Sequence, residues 1–219
     1  MTKLKLGVLF SGRGSNLQAL LERCEEEAFP AQVVVAISNN ADALGLQRAE
    51  AADVPTHVID HRGFASREAF EEKLDEALVT AGVELVCLAG FMRRLTPWFV
   101  DRWRDRLINI HPSLLPAFRG LDTHRRALEL GVRITGCTVH YVRAEVDDGP
   151  VIAQAAVPIA PDDTEDSLHA RVLAAEHRLY PLAVRLIAEG KAKVEGERVT
   201  LAPEPALMPP IFSPTLRSG

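Results

Sequence analysis

Residues 3–21 read KLKLGVLFSGRGSNLQALL. An apolar run over 3–10 stops at Ser11-Gly12-Arg13-Gly14, after which Leu17, Leu20, Leu21 and Cys24 recur at helical spacing. A strand that passes through a glycine turn into a helix is the opening unit of a parallel sheet covered by helices on both faces. The alternation continues outward from this stretch. Short apolar runs at 32–38, 56–59, 83–90 and 106–110 predict further strands, and DALGLQRAEAA and SREAFEEKLDEALVTAG predict helices between them, the second ending on Gly82. After residue 132 the rhythm changes. RITGCTVHYV and PVIAQAAVPI, joined by the turn-rich RAEVDDG, predict longer strands with an antiparallel connection. A helix over about 164–189 and a hairpin in KAKVEGERVTL follow. The fold class is α/β: an open, mostly parallel twisted sheet with helices on both faces and an antiparallel addition in the C-terminal half. One domain is expected over 1–201, with a Pro-rich tail at 202–219 in which no regular structure is expected.

The bulk composition narrows the function. At 219 residues, 47% hydrophobic and 25% charged, the chain suits one globular domain with a full core. A net charge of −5 argues against a broad nucleic-acid footprint. Cys24, Cys87 and Cys137 are widely spaced in apolar segments and form no Cys-x-x-Cys pair, so they are expected as small buried hydrophobes in a reducing compartment. Cys137 and His140 fall on opposite faces of their strand, and no structural metal is expected. The N-terminus reads almost directly into a strand, so no signal peptide is expected, and no apolar run reaches the roughly 18 residues of a membrane span. A cytoplasmic protein without membrane or nucleic-acid partners is expected.

In open α/β sheets the ligand crevice lies beyond the carboxyl ends of the strands. Two stretches there carry chemistry. In FSGRGSNLQALL, glycines tighten the turn and the helix N-terminus offers free N–H groups to an anion. The turn either closes for its own sake, capped by Ser15, or receives the phosphate of a substrate. A dinucleotide or ATP fits poorly, because Leu17 replaces the third glycine, the next strand ends in SNN without an acid, and Gly-Lys-Ser/Thr is absent.

The second stretch is RLINIHPSLLPAFRG, residues 106–120. Along a strand Asn109 and His111 project together while Ile108 and Ile110 point into a packed layer, and Pro112 stops the strand. An amide N–H beside a titratable imidazole suits acyl or formyl transfer, where negative charge gathers on the carbonyl oxygen. Asp147 and Asp148 in EVDDGPVI either serve the turn itself or bring a carboxylate to His111.

These residues carry a resemblance. SGRGSN, SREAF, LAGFMRRL, INIHPSLLPAF, THRRAL, GCTVHYV, DDGPVIAQ and EHRLYP, in this order from about residue 4 to 190, resemble the phosphoribosylglycinamide formyltransferases, folate-dependent enzymes of purine biosynthesis. The resemblance implies a Rossmann-like formyltransferase fold, with a phosphate-binding half at about 1–105 and a folate and catalytic half at about 106–201. It implies transfer of a formyl group from 10-formyltetrahydrofolate, as cosubstrate, to the amine of glycinamide ribonucleotide without a metal. By matching motif, Asn109, His111 and Asp147 are expected to be catalytic, and Gly14, Ser15 and Asn16 to hold the substrate phosphate. Folate contacts are expected from Arg67, from Met92, Arg93, Arg94 and Leu95, from Asn109, and from Arg143, Ala144, Glu145, Val146 and Asp147. Glu176 is expected to bind the glycinamide end. It shares a helical face with Leu168, Val172 and Leu179, and a carboxylate on such an apolar stripe wants a partner.

Arg119 stands where the family commonly has proline, and Arg94 where relatives often have an aliphatic residue. Sibling enzymes that share HPSLLP are set apart by added domains: a C-terminal nucleic-acid-binding domain in methionyl-tRNA formyltransferase, and an N-terminal regulatory domain in formyltetrahydrofolate hydrolase. Sugar-nucleotide formyltransferases are not separated by these motifs. A non-catalytic sensor of a phosphorylated metabolite would leave Asn109, His111 and Asp147 unexplained. A monomer and a homodimer fit the sequence equally.

Overall fold

The computed structural model describes residues 2–203, 206 and 209–214. The remaining part of the tail expected to be irregular, 204–205, 207–208 and 215–219, lies outside the described residues. In chain order the elements are β1 (Leu4–Phe10), α1 (Ser15–Glu25), β2 (Ala31–Ser38), α2 (Gly45–Ala51), β3 (Thr56–Val58), α3 (Arg67–Thr80), β4 (Leu85–Leu88), α4 (Pro97–Arg102), β5 (Leu107–His111), α5 (Thr123–Glu129), β6 (Ile134–Tyr141), β7 (Val151–Pro158), α6 (Glu165–Ala188), β8 (Ala192–Glu195) and β9 (Arg198–Leu201).

Strands β1 to β7 form one sheet in the order β3-β2-β1-β4-β5-β6-β7, and β8 and β9 pair separately. The first five strands pair in parallel, whereas β5–β6 and β6–β7 are antiparallel. The fold is the mostly parallel α/β sheet with a C-terminal antiparallel addition that the strand-helix rhythm predicts. Strand periodicity distributes β1 between the two faces. Leu6, Val8 and Phe10 join a core with Leu17 and Leu20 of α1 and Leu168, Val172 and Tyr180 of α6. Leu9 joins a second core with Phe70 and Leu74 of α3 and Phe99 and Trp103, at the end of α4. Burying such side chains stabilises the fold by about 1.5–3 kcal/mol each.

Two short helices, α4 and α5, arise where no helix is expected from periodicity. α4 starts at a Thr96 cap followed by Pro97, a start signal too local for a periodic pattern to reveal. α5 starts after Asp122, a left-handed residue without a side-chain cap bond. The long helix α6 begins in a capping box formed by Thr164 and Ser167 and contains Pro181. Among the described residues no helix is long and apolar enough to cross a membrane. Cys87 and Cys137 are buried and Cys24 is half-buried, all as free thiols, and burial pushes Cys24 up to about 11.

The connection from β1 runs outward to β2 and β3, then returns through α3 to β4 on the other side of β1. This reversal between β1 and β4 is where an open α/β sheet leaves a crevice at its carboxyl edge.

Candidate active site

A cleft of about 660 Å³ opens beside it, beyond the ends of β4 and β5. Its walls include Gly90–Leu95 after β4, Asn109–Pro112 at the end of β5, Gly120–His124, and the loop Arg143–Asp147 after β6. The cleft therefore draws on both sides of residue 105. Met92, Arg93, Arg94, Leu95, Asn109, His111 and Arg143–Asp147 all line it, whereas Arg67 does not. Arg67 is exposed as the first residue of α3, whose cap is the Ser66 side chain accepting from Ala69 N–H. Arg94 is exposed at the cleft wall. Arg119 turns its guanidinium to Asp148, so the substitution for proline adds an ion pair beside the cleft.

β5 aims its polar residues as strand geometry requires. Ile108 and Ile110 enter the core while Asn109 and His111 face the cleft. His111 is 5% exposed, and both ring nitrogens face oxygen: Nε2 lies 2.9 Å from the Phe118 carbonyl and Nδ1 3.3 Å from Asp147 Oδ2. A carbonyl oxygen only accepts, so Nε2 carries the hydrogen donated to Phe118, and Nδ1 faces the carboxylate. Asp147 Oδ2 also accepts from Gly120 N–H at 2.8 Å. Asp147 thus comes to His111 across 36 positions of sequence, and its neighbour Asp148 goes to Arg119. Phe118, Asp122 and Asp147 hold positive φ of 53–57° without being glycine. Such strain persists only where surrounding contacts enforce it, and two of the three, Phe118 and Asp147, contact this imidazole.

His140 is a further polar residue that the sequence considers only as a metal ligand. It pairs with Asn109 across β5 and β6, and its Nε2 is 3.3 Å from Asn109 Nδ2. Its Nδ1 lies 2.9 Å from the Tyr141 carbonyl. Burial pushes His140 below its ordinary value, so the ring is neutral, with Nδ1–H donating and Nε2 accepting from the amide. This fixes which end of Asn109 is the donor end and leaves its second N–H for the cleft. Behind this pair, Thr138 ties the HPSLLP turn to β6, donating to Ser113 O at 2.7 Å and accepting from Leu115 N–H at 3.1 Å. The sequence signal for His140 is strand register, two residues beyond Thr138, which only the fold supplies.

At the other end of the crevice Gly14 is the N-cap of α1 at φ 67°, and no side chain caps the helix. Ser15 therefore does not close the turn. The N–H groups of the first helical turn have no intrahelical partner. A Cβ on Gly14 would stand 2.6 Å from Gly45 Cα, so two backbones are in contact here. Ser15 lines a second cavity of about 250 Å³ with Gln18, Arg48 and His177. Arg48 is held there by Arg13 O at 2.9 Å, and His177 Nε2 is buried without a partner. Neither residue is singled out by sequence reasoning, although EHRLYP contains His177. Asn16 is buried and donates from Nδ2 to Glu176 Oε2 at 2.7 Å, leaving Asn16 Oδ1 buried without a partner. Burial pushes the Glu176 carboxyl up to about 7, opposed by the Asn16 bond. Asn16 is its hydrogen-bond partner within the chain. Among the described residues no cluster of three or more His, Cys, Asp or Glu side chains is arranged to hold a metal ion.

A crevice at the sheet's carboxyl edge, with an anion-receptive helix end on one side and an imidazole set between a carboxylate and a carbonyl, beside an oriented amide, on the other, defines an α/β enzyme of the group-transfer class. The chain belongs to the formyl transferase family, whose sequence profile matches residues 4–184. It is 46% identical to the phosphoribosylglycinamide formyltransferase of Escherichia coli over 87% of this chain and 90% of that one. The crystal structure of glycinamide ribonucleotide transformylase 1 from Symbiobacterium toebii is similar, with 51% identity, a TM-score of 0.89, and coverage of 91% of this chain and 94% of that one. The trifunctional purine biosynthetic protein adenosine-3 of Gallus gallus is 48% identical over 88% of this chain, which spans only 19% of that protein.

Proposed function

We propose that the chain transfers the formyl group of 10-formyltetrahydrofolate to the amine of glycinamide ribonucleotide, as a step of purine biosynthesis in the cytoplasm. The observation that carries this reading is the contact of Asp147 with His111 beside Asn109 at one wall of the 660 Å³ cleft.

The ribonucleotide phosphate binds the N–H groups of Gly14, Ser15 and Asn16 at the start of α1, with Arg48 and the unpartnered Nε2 of His177 nearby. Glu176 and Asn16 meet the substrate's polar groups between phosphate and amine. The pterin end of the folate enters between Met92–Leu95 and Arg143–Asp147. The neutral amine attacks the formyl carbon, and the carbonyl electrons move onto oxygen. Asn109 N–H and the His111 imidazolium stabilise that oxyanion. His111 Nε2 reaches it by exchanging the Phe118 carbonyl for the substrate oxygen, a change favoured by the strain at Phe118. Asp147 holds the imidazolium charge and receives the amine proton through water. Collapse of the intermediate breaks the bond between the formyl carbon and the folate nitrogen, which takes up a proton. Formylated ribonucleotide and tetrahydrofolate leave.

The test mixes the protein with both substrates and follows tetrahydrofolate formation spectroscopically, omitting the ribonucleotide in a control. Turnover that requires the ribonucleotide supports the proposal. Turnover without it indicates a hydrolase, and binding without turnover indicates a sensor; either result overturns it.

A further inference from the structure

The resemblance assigns Arg143 to the folate, yet its guanidinium points elsewhere. The side chain is only 10% exposed, and its charge is held by two carboxylates outside the loop. Nη2 donates to Asp105 Oδ1 at 2.8 Å and Nε to Glu197 Oε2 at 2.8 Å, while Nη1 reaches the Val142 carbonyl at 3.2 Å. The other Glu197 oxygen accepts from Arg104 at 2.8 Å. Arg104 and Asp105 lie just ahead of β5, separated from it by Arg106, whereas Glu197 sits in the turn between β8 and β9. The network therefore joins the small C-terminal hairpin to the strand that carries Asn109 and His111, with Arg143 between them.

Arg143 is also the first residue of the loop that ends at Asp147. The loop's base is closed by Tyr141 N–H donating to Pro150 O at 2.9 Å. Gly149 packs so tightly there that a Cβ would lie 1.6 Å from Tyr141 O and 3.3 Å from Arg143 Cγ. At the far end Asp147 holds a left-handed conformation that needs enforcement from its surroundings. A largely buried guanidinium that loses one of its carboxylates is under-compensated and turns toward water. Its stem, packed on Gly149, carries the loop base with it.

We infer that Arg143 is a positioning residue for the folate loop, and that Asp105 and Glu197, through it, set the affinity for the formyl donor. The donor's identity rests on the function proposed above. Glu197 does not line the cleft, so its removal acts on the donor only indirectly, through Arg143 or Arg104, and Asp105, which holds Arg143, separates the two routes.

The experiment compares wild type with Glu197→Gln, Asp105→Asn and the control Glu195→Gln on the same hairpin. Two readouts are taken: steady-state kinetics in both substrates, and hydrogen exchange of amides 143–148 in the free protein. Glu197→Gln and Asp105→Asn are expected to raise KM for 10-formyltetrahydrofolate by about three- to tenfold, as for a partly screened charge pair. kcat and the ribonucleotide KM stay within about twofold, exchange at 143–148 accelerates, and Glu195→Gln matches wild type. An unchanged loop exchange rate in both network variants overturns the inference. So does equal acceleration by Glu195→Gln, which would mark a general loosening of the hairpin. Exchange is read without substrates, so a wild type inactive toward this pair would refute the proposed function while leaving the positioning role to be judged on exchange alone.

Discussion

The two ends of the crevice are built by different means. At the Gly12–Asn16 turn, backbone meets backbone: Gly14 touches Gly45, and an anion would be read by main-chain N–H groups. At the Arg143–Asp147 loop, side chains do the work. Charges hold the loop base, a carboxylate spans to an imidazole, and one non-glycine residue, Asp147, sits at positive φ. A backbone site tolerates changes of side chain but not added atoms. A side-chain site tolerates small shifts of backbone but not loss of a functional group.

The sharpest way to break this contrast is at the side-chain end. Asn109→Ala and His111→Ala are each expected to lower kcat by about 100- to 1000-fold, the usual consequence of removing one oxyanion donor, with circular dichroism and unfolding midpoint close to wild type. Turnover within tenfold of wild type by either variant would remove that residue from the mechanism.

Next in size is a pH effect at the boundary between the two ends. Burial raises Glu176 to about 7 in the folded protein, above its ordinary 4.5 in the unfolded chain. The protonated form is therefore the one that folding favours. Its contribution is complete below pH 4.5 and is lost as pH rises through 7, on the order of 3 kcal/mol in all. Urea unfolding of the free protein is expected to show stability falling from pH 5 to 8, and Glu176→Gln is expected to flatten that component. An identical slope in both proteins would mean that Glu176 is hydrated in solution. A bound cationic amine would draw the group back down, so the difference is read without substrate.

At the backbone end, Gly14→Ala tests whether close approach matters more than chemistry. It adds a single methyl group, yet φ 67° and the 2.6 Å distance to Gly45 Cα leave no room for it. A loss of about 1–3 kcal/mol in stability is expected from strain and overpacking, measured by chemical denaturation, together with weaker ribonucleotide binding. Stability equal to wild type would show that the two backbones separate easily.

How much of this was legible in the sequence follows the same division. The β1-turn-α1 unit declares itself through glycines and apolar spacing, because both act over a few residues. Asn109 and His111 share a face by strand period alone, and the structure keeps them there. From turn chemistry alone Asp147 is one of two adjacent acids, and only the matching motif singles it out, because its approach to His111 depends on how a loop folds back. His140 is invisible without the register of β5 against β6. The outward turn of Arg143 depends on Glu197, 54 positions later, and no local pattern encodes that pairing.

The smallest predicted effect concerns the one expected folate contact that lies outside the cleft. Arg67 is exposed at the start of α3. In the proposed complex a folate with its pterin end at the loop would extend its glutamate tail toward the cleft mouth, where an exposed cation would meet the tail carboxylates through screened attraction. Arg67→Ala is therefore expected to raise the donor KM only about two- to threefold, with kcat unchanged, and the difference is expected to fade as ionic strength rises toward 0.5 M. A tenfold or larger increase that survives high salt would mean that Arg67 makes a desolvated contact in the complex. The α3 N-terminus would then close onto the ligand, and the side-chain end of the crevice would reach further along the sheet edge than the free structure shows.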